Sequence, residues 1–212
     1  MQIDMNKLTP MMKQYLEVKN RYKDCILFFR LGDFYEMFFE DALVASKALE
    51  IALTGKACGL EERAPMCGVP FHSANSYISK LVENGYKVAI GEQMEDPSTA
   101  KGIVRREVIR VITPGTVLDG NLLENKKNNY LLSLYKDGTN IGLTYVDIST
   151  GETNATCLNE DKVIEEIAKI HPTEIIINDL DFIEKLRDIA TVSNIYINES
   201  FSDNYLDINI LK

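Results

Sequence analysis

No run in this 212-residue chain approaches the roughly 20 consecutive apolar residues that a membrane-crossing helix requires, and residues 1–23 are too polar for a secretory signal. A soluble, cytoplasmic protein with no membrane partner is expected. The four cysteines, Cys25, Cys58, Cys67 and Cys157, form no CxxC pair and no Cys/His group at zinc spacing. Neither a disulfide framework nor a structural metal site is expected. There is no GxxxxGK[ST] loop, since Gly55-Lys56 lacks both the upstream glycine and the downstream Ser/Thr, so no ATP site is encoded in these residues. Internal repeats and low-complexity tracts are missing too.

Basic charge is also scarce: 23 Lys and Arg stand against 32 Asp and Glu, a net charge of −9. That balance argues against nucleic acid, because neutralising phosphates requires cations. Its distribution weakens the objection. Residues 1–115 carry 15 basic and 15 acidic side chains, whereas 116–212 carry 8 and 17. A neutral module precedes an acidic one, as the turn formers Thr113-Pro114-Gly115-Thr116 and Asp119-Gly120-Asn121 also indicate. The expected organisation is a first domain over 1–115, a linker over 116–128 and a second domain over 129–212, each of ordinary domain size.

In the first module, Thr9-Pro10 opens a helix that runs to about Tyr22, with apolar residues at helical spacing. Residues 25–31 read as a buried strand, and the pattern after Gly32-Asp33 reads as an amphipathic helix from Phe34 to Ile51 with Asp33 as N-cap. Lys56 to Pro65 reads as a polar loop. Met66 to His72 leads into a Ser73-started helix ended by Gly85, and strands follow near 86–90 and 101–112.

On a helix, Phe34 and Glu36 stand side by side in the first turn. Two readings fit: Phe34 packs on Phe38 while Glu36 and Glu40 form a solvated face, or Phe34 is an exposed wedge beside a carboxylate acceptor, suited to entering a base step. Spacing does not choose between them. Cys67 and His72 suggest thiol chemistry but lack a third, orienting group. Arg105, Arg106 and Arg110 suit either phosphates or the wet face of a strand.

The second module reads as a three-stranded meander over 129–158, then a helix at 163–170, a strand at 174–177, a helix at 182–190 and a strand at 194–197. The class is α/β with mixed sheets. Asp147, with Asp179 or another carboxylate as a partner, is the one position from which a metal-dependent nuclease can be imagined, though such a site needs several convergent carboxylates.

The segments Leu8-Thr9-Pro10-Met11-Met12-Lys13-Gln14-Tyr15, Phe29-Arg30-Leu31-Gly32-Asp33-Phe34-Tyr35-Glu36, Pro65-Met66-Cys67-Gly68-Val69-Pro70, Gly91-Glu92-Gln93 and Arg110-Val111-Ile112-Thr113-Pro114-Gly115-Thr116, in that order, closely resemble the MutS DNA mismatch repair proteins. The likeness continues more loosely through Asp147-Ile148-Ser149-Thr150-Gly151.

The resemblance implies a mismatch-recognition domain followed by an incomplete connector domain of ribonuclease H-like fold. Phe34 and Glu36 match the family's Phe-x-Glu motif, in which the Phe stacks on a mispaired base from the minor groove and the Glu hydrogen-bonds that base. Lys56 falls where relatives carry a basic residue and is expected to meet a phosphate. Position 31 is Leu where a relative has Met, and position 71 is Phe where Tyr is frequent. No catalytic or metal-binding residue is expected in this stretch. ATP, Mg²⁺, a dimer partner and a MutL-type repair protein are implied for the longer family protein only.

Overall fold

A computed structural model describes residues 4–96, 102–117 and 128–198. The chain is mixed α/β and forms two compact units that divide between Thr113 and Pro114.

The first unit is built on a six-stranded sheet of order β3-β4-β2-β1-β5-β6. In chain order it runs α1 (Pro10–Arg21), β1 (Cys25–Leu31), β2 (Phe34–Phe38), α2 (Phe39–Leu49), β3 (Thr54–Lys56), β4 (Ala64–Pro70), α3 (Ala74–Glu83), β5 (Lys87–Gln93) and β6 (Arg106–Ile112). Strands β1 and β5 are parallel and every other pair is antiparallel.

Pro10 occupies the first turn of α1, where its missing N–H is no loss. The helix buries Met12, Tyr15 and Val18 against Leu27, Phe29 and Phe38 on one sheet face. On the opposite face lie Met37 and Cys67, whose thiol points at the Ala42 carbonyl of α2. Cover on both faces explains the unbroken burial of β1 from Cys25 to Phe29.

At the centre, the Tyr15 ring stands edge-on to Phe29 and Phe38, with centroids 5.4 and 4.9 Å away. Its hydroxyl donates to Asp41 Oδ2 at 2.9 Å, and that oxygen also accepts from the Leu27 N–H at 3.0 Å. Lys19 pairs with the other oxygen of Asp41 at 2.8 Å. Helix α1, strand β1 and helix α2 are thus joined through one buried carboxylate that is fully partnered, as a buried charge must be.

Two expectations need correction. Phe34 and Glu36 do not lie on a helix, and Asp33 is not an N-cap. They lie on β2, which turns back from β1 through Gly32 and Asp33 in the register Leu31 to Phe34, Arg30 to Tyr35 and Phe29 to Glu36. Gly32, at φ +59, supplies the left-handed residue that a two-residue hairpin loop requires. Helix α2 starts only at Phe39. The five residues from Phe34 to Phe38 satisfy helical and strand spacing alike, and pairing with β1 on one side and β4 on the other decides for the strand.

The second correction concerns residues 54–70, where only 57–63 connect strands; Lys56 belongs to β3 and Met66 to β4. Two prolines and a glycine within seven residues hide β4, yet Pro65 and Pro70 stand near its ends, where a missing N–H costs least.

The second unit comprises β7 (Tyr130–Asp137), β8 (Asn140–Asp147), β9 (Glu152–Asn159), α4 (Glu160–Ile170), β10 (Glu174–Ile177), α5 (Leu180–Ser193) and β11 (Tyr196–Asn198). The meander is antiparallel, β10 and β11 run parallel to β7, and the order is β11-β10-β7-β8-β9. This is the mixed sheet with helices that the order of strands and helices predicts. Leu132, Leu134, Ile141 and Leu143 alternate with exposed residues and pack on Val163, Ile167, Phe182 and Leu186 of the helices.

The turn at Pro114–Thr116 belongs to this second unit. The Gly115 N–H donates to the buried Glu174 carboxylate at 2.8 Å, and Asn129 donates to the Pro114 carbonyl at 3.1 Å. Much of the expected linker, 118–127, lies outside the described residues, as do Lys101 and residues 199–212.

Candidate nucleic-acid interface

Because side chains alternate along a strand, Phe34, Glu36 and Phe38 project from one face of β2. Phe38 is fully buried under Tyr15, whereas Phe34, at the hairpin end, is 46% exposed. The first of the two readings of Phe34, packing on Phe38, is therefore not what the fold does. A large aromatic ring stands in solvent at the tip of a paired strand.

The tip is held from two sides. The Phe71 N–H donates to the Asp33 carbonyl at 2.9 Å, and Arg30 Nε donates to the Gly32 carbonyl at 2.5 Å. The Arg30 guanidinium lies 3.7 Å from the centroid of the Phe71 ring and 3.5 Å from Glu92, which also accepts from the Tyr35 hydroxyl. Burial, with Glu92 beside it, raises the Tyr35 phenol to about 12. Sequence reading passed over this cluster. Its signal was present in an arginine closing an apolar strand and in an aromatic at 71.

Glu36 lies opposite Gly68, where a Cβ would come within 3.4 Å of Glu36 Cγ and 3.2 Å of the Tyr35 carbonyl oxygen. Across β4, Glu36 Oε2 meets Lys56 Nζ of β3 at 2.5 Å, bringing two of the expected site residues together although they are 20 positions apart. The Lys56 ammonium also stands 5.7 Å from the Phe38 ring centroid. Only 16% of the Glu36 side chain and 34% of the Lys56 side chain is exposed. Among the described residues, Glu36 Oε1 has no hydrogen-bond partner.

The three arginines of the first module separate. Arg106 is buried: Nε donates to the Arg30 carbonyl at 2.6 Å, and Nη1 to Gln14 and to the Val104 carbonyl at 3.0 and 2.8 Å. Burial lowers its pKa. Arg105 is exposed and pairs with Glu107 at 2.9 Å. Arg110 is exposed on β6.

Cys67 is buried, and burial pushes its thiol up to about 11, while His72 sits exposed in the turn before α3. Gly55-Lys56 lies in a strand with its ammonium on Glu36, so it forms no phosphate-binding loop.

Asp147 Oδ1 accepts from the Ser149 hydroxyl at 2.6 Å and from the Ser149 and Thr150 N–H groups, and Oδ2 accepts from the Asn129 N–H at 3.2 Å. These bonds, led by the Ser149 hydroxyl, lower its pKa. Asp179 caps α5 through the Phe182 N–H. Asp147 lies level with the start of β7 and Asp179 beyond the residue level with Leu134, so the two carboxylates stand toward opposite ends of the sheet. Among the described residues no three His, Cys, Asp or Glu side chains group as metal ligands. Nor is any described helix long and apolar enough to cross a membrane.

Residues 9–121 match the family model of MutS domain I, and residues 129–206 that of MutS domain II. The chain is 65% identical over 178 residues to the DNA mismatch repair protein MutS of Acetivibrio thermocellus, covering 82% of this chain and 20% of that protein. It is 61% identical over 191 residues to the protein of the same name from Alkaliphilus oremlandii, covering 88% and 21%. With that of Clostridium tetani it shares 53% identity over 211 residues, covering 97% and 24%. The chain thus spans about a fifth to a quarter of the length of these relatives.

Proposed function

The chain belongs to the MutS family of DNA mismatch repair proteins, and from that premise we propose that its first unit senses mispaired or unpaired bases in duplex DNA. In this reading Phe34 enters the minor groove and stacks on the base, while Glu36 accepts a hydrogen bond from it. The half-exposed Phe34 ring, at the tip of a strand paired on both sides, is the observation that carries the proposal.

The physics favours a deformability sensor. A mispair has lost part of its stacking and pairing, so opening that step costs less than opening a matched one. Stacking a base on an aromatic contributes about 1–3 kcal/mol and tolerates any base, as a sensor of many mispairs requires. A rigid hairpin tip limits the ordering cost when the ring enters. A carboxylate near phosphates is repulsive in general and becomes favourable only where a displaced base offers it a hydrogen.

ATP and Mg²⁺ use, a dimer partner and a MutL-type repair protein belong to the proposal for the longer natural chain, and no step here runs through them. The test is fluorescence anisotropy of that full-length chain on mismatched and matched duplexes at one stated salt concentration. Wild type is expected to prefer the mismatch, and Phe34→Ala to lower that preference about tenfold with little change in melting temperature. Equal binding of both duplexes by wild type would sink the proposal.

A further inference from the structure

We propose that Lys56 is a positioning residue for Glu36, clamping one oxygen of its carboxylate so that the other is presented to a displaced base. This rests on the reading of Phe34 and Glu36 given above, and assigns Lys56 a role beyond holding a phosphate.

Three independent features point to it. Lys56 Nζ binds Glu36 Oε2 at 2.5 Å, while Oε1 is unpartnered among the described residues, so the two oxygens are already differentiated. Gly68, opposite Glu36 on β4, sets no side chain against it, and a Cβ there would stand 3.4 Å from Glu36 Cγ. The fully buried Phe38 ring, 5.7 Å from Nζ, gives the ammonium a second reason to stay where it is.

The consequence is electrostatic as well as geometric. A bare carboxylate two residues from the wedge would repel the phosphates of any duplex, matched or not. Paired with Lys56, the reading face meets DNA locally neutral, and the pair's mutual attraction holds Glu36 in one orientation. An ammonium has three N–H donors and gives one to Glu36, so contact with a nearby phosphate is compatible with the clamp. The clamp differs from a phosphate contact in what its removal does: losing a phosphate contact weakens binding to all duplexes alike, whereas losing the clamp degrades the choice between them.

A double-mutant cycle on the full-length natural chain separates these, read as the ratio of mismatched to matched affinity at fixed salt. Lys56→Met is expected to lower the ratio about fivefold, and Lys56→Arg to keep more than half of it. In a Glu36→Ala background, Lys56→Met is expected to change the ratio less than about twofold, because the group it positions is gone. Should Lys56→Met melt early, Lys56→Ala, which likewise removes the donor, is held to the same cycle. Equal weakening on both duplexes, unchanged in the Glu36→Ala background, would overturn the clamp and leave Lys56 a phosphate contact. A Phe34→Ala chain that retains the full ratio would instead overturn the underlying reading, whatever Lys56 does.

Discussion

The Arg30 guanidinium lies 3.7 Å from the centroid of the Phe71 ring while Arg30 Nε holds the Gly32 carbonyl, so one side chain links the turn before Phe34 to the strand end after Pro70. A cation over an aromatic face contributes about 0.5–2 kcal/mol, and here it also orders the loop that presents the wedge. Phe71→Ala is therefore expected to cost about 1 kcal/mol in urea unfolding of the first unit. Phe71→Tyr, which keeps the ring, is expected to cost much less. A full-stability Phe71→Ala chain would show that the hairpin tip does not depend on this stack.

Alkaline pH should loosen the first unit before the second. Burial pushes the Cys25 and Cys67 thiols from 9.0 up to about 12 and about 11, and raises the Tyr15 and Tyr35 phenols as well. In each case the neutral form is favoured in the fold, so the stabilisation is complete below the unfolded value and is lost as pH rises through the folded one. The urea midpoint of the first unit is expected to be level at neutral pH and to fall from pH 9 upward. Cys67→Ala should make the fall between pH 9 and 11 shallower. An identical slope in that variant would contradict the burial argument.

Asp147 behaves in the opposite sense. Its pKa is lowered from 3.8, chiefly by the Ser149 hydroxyl, so its contribution is present above the ordinary carboxylate value and is lost as pH falls through the lowered one. Asp147→Ala would leave the Asn129, Ser149 and Thr150 N–H groups without their acceptor, at a cost of about 2–3 kcal/mol to the second unit. Chemical denaturation followed by Tyr fluorescence of the second unit measures this. Mg²⁺-dependent cutting of DNA that disappears in Asp147→Asn with stability unchanged would reverse the assignment and restore the nuclease alternative.

Much of the chain was legible from periodicity alone. Helix α1 begins at Pro10, β1 matches the apolar run at 25–31, α3 ends before Gly85, and β7, β8, β9, α4, β10, α5 and β11 fall where apolar spacing places them. Apart from β9, which is exposed almost throughout, these elements show their burial pattern within their own few residues. The motif around Phe34 and Glu36 was equally legible, because identity in order and spacing needs no coordinates.

Tertiary structure decided the rest, wherever the deciding contact was distant in sequence. Phe34 to Phe38 became a strand because β1 and β4 pair with it, and β4 itself was hidden by its prolines until β2 and β3 flanked it. Arg106 is buried on Arg30 and Gln14, 76 and 92 positions away, although its neighbour Arg105 is exposed. Lys56 met Glu36 across β4 although the two are 20 positions apart. Local patterning determines which elements form when one face of each is apolar; which polar side chains meet is set by strand order and register, information that no short window of sequence contains.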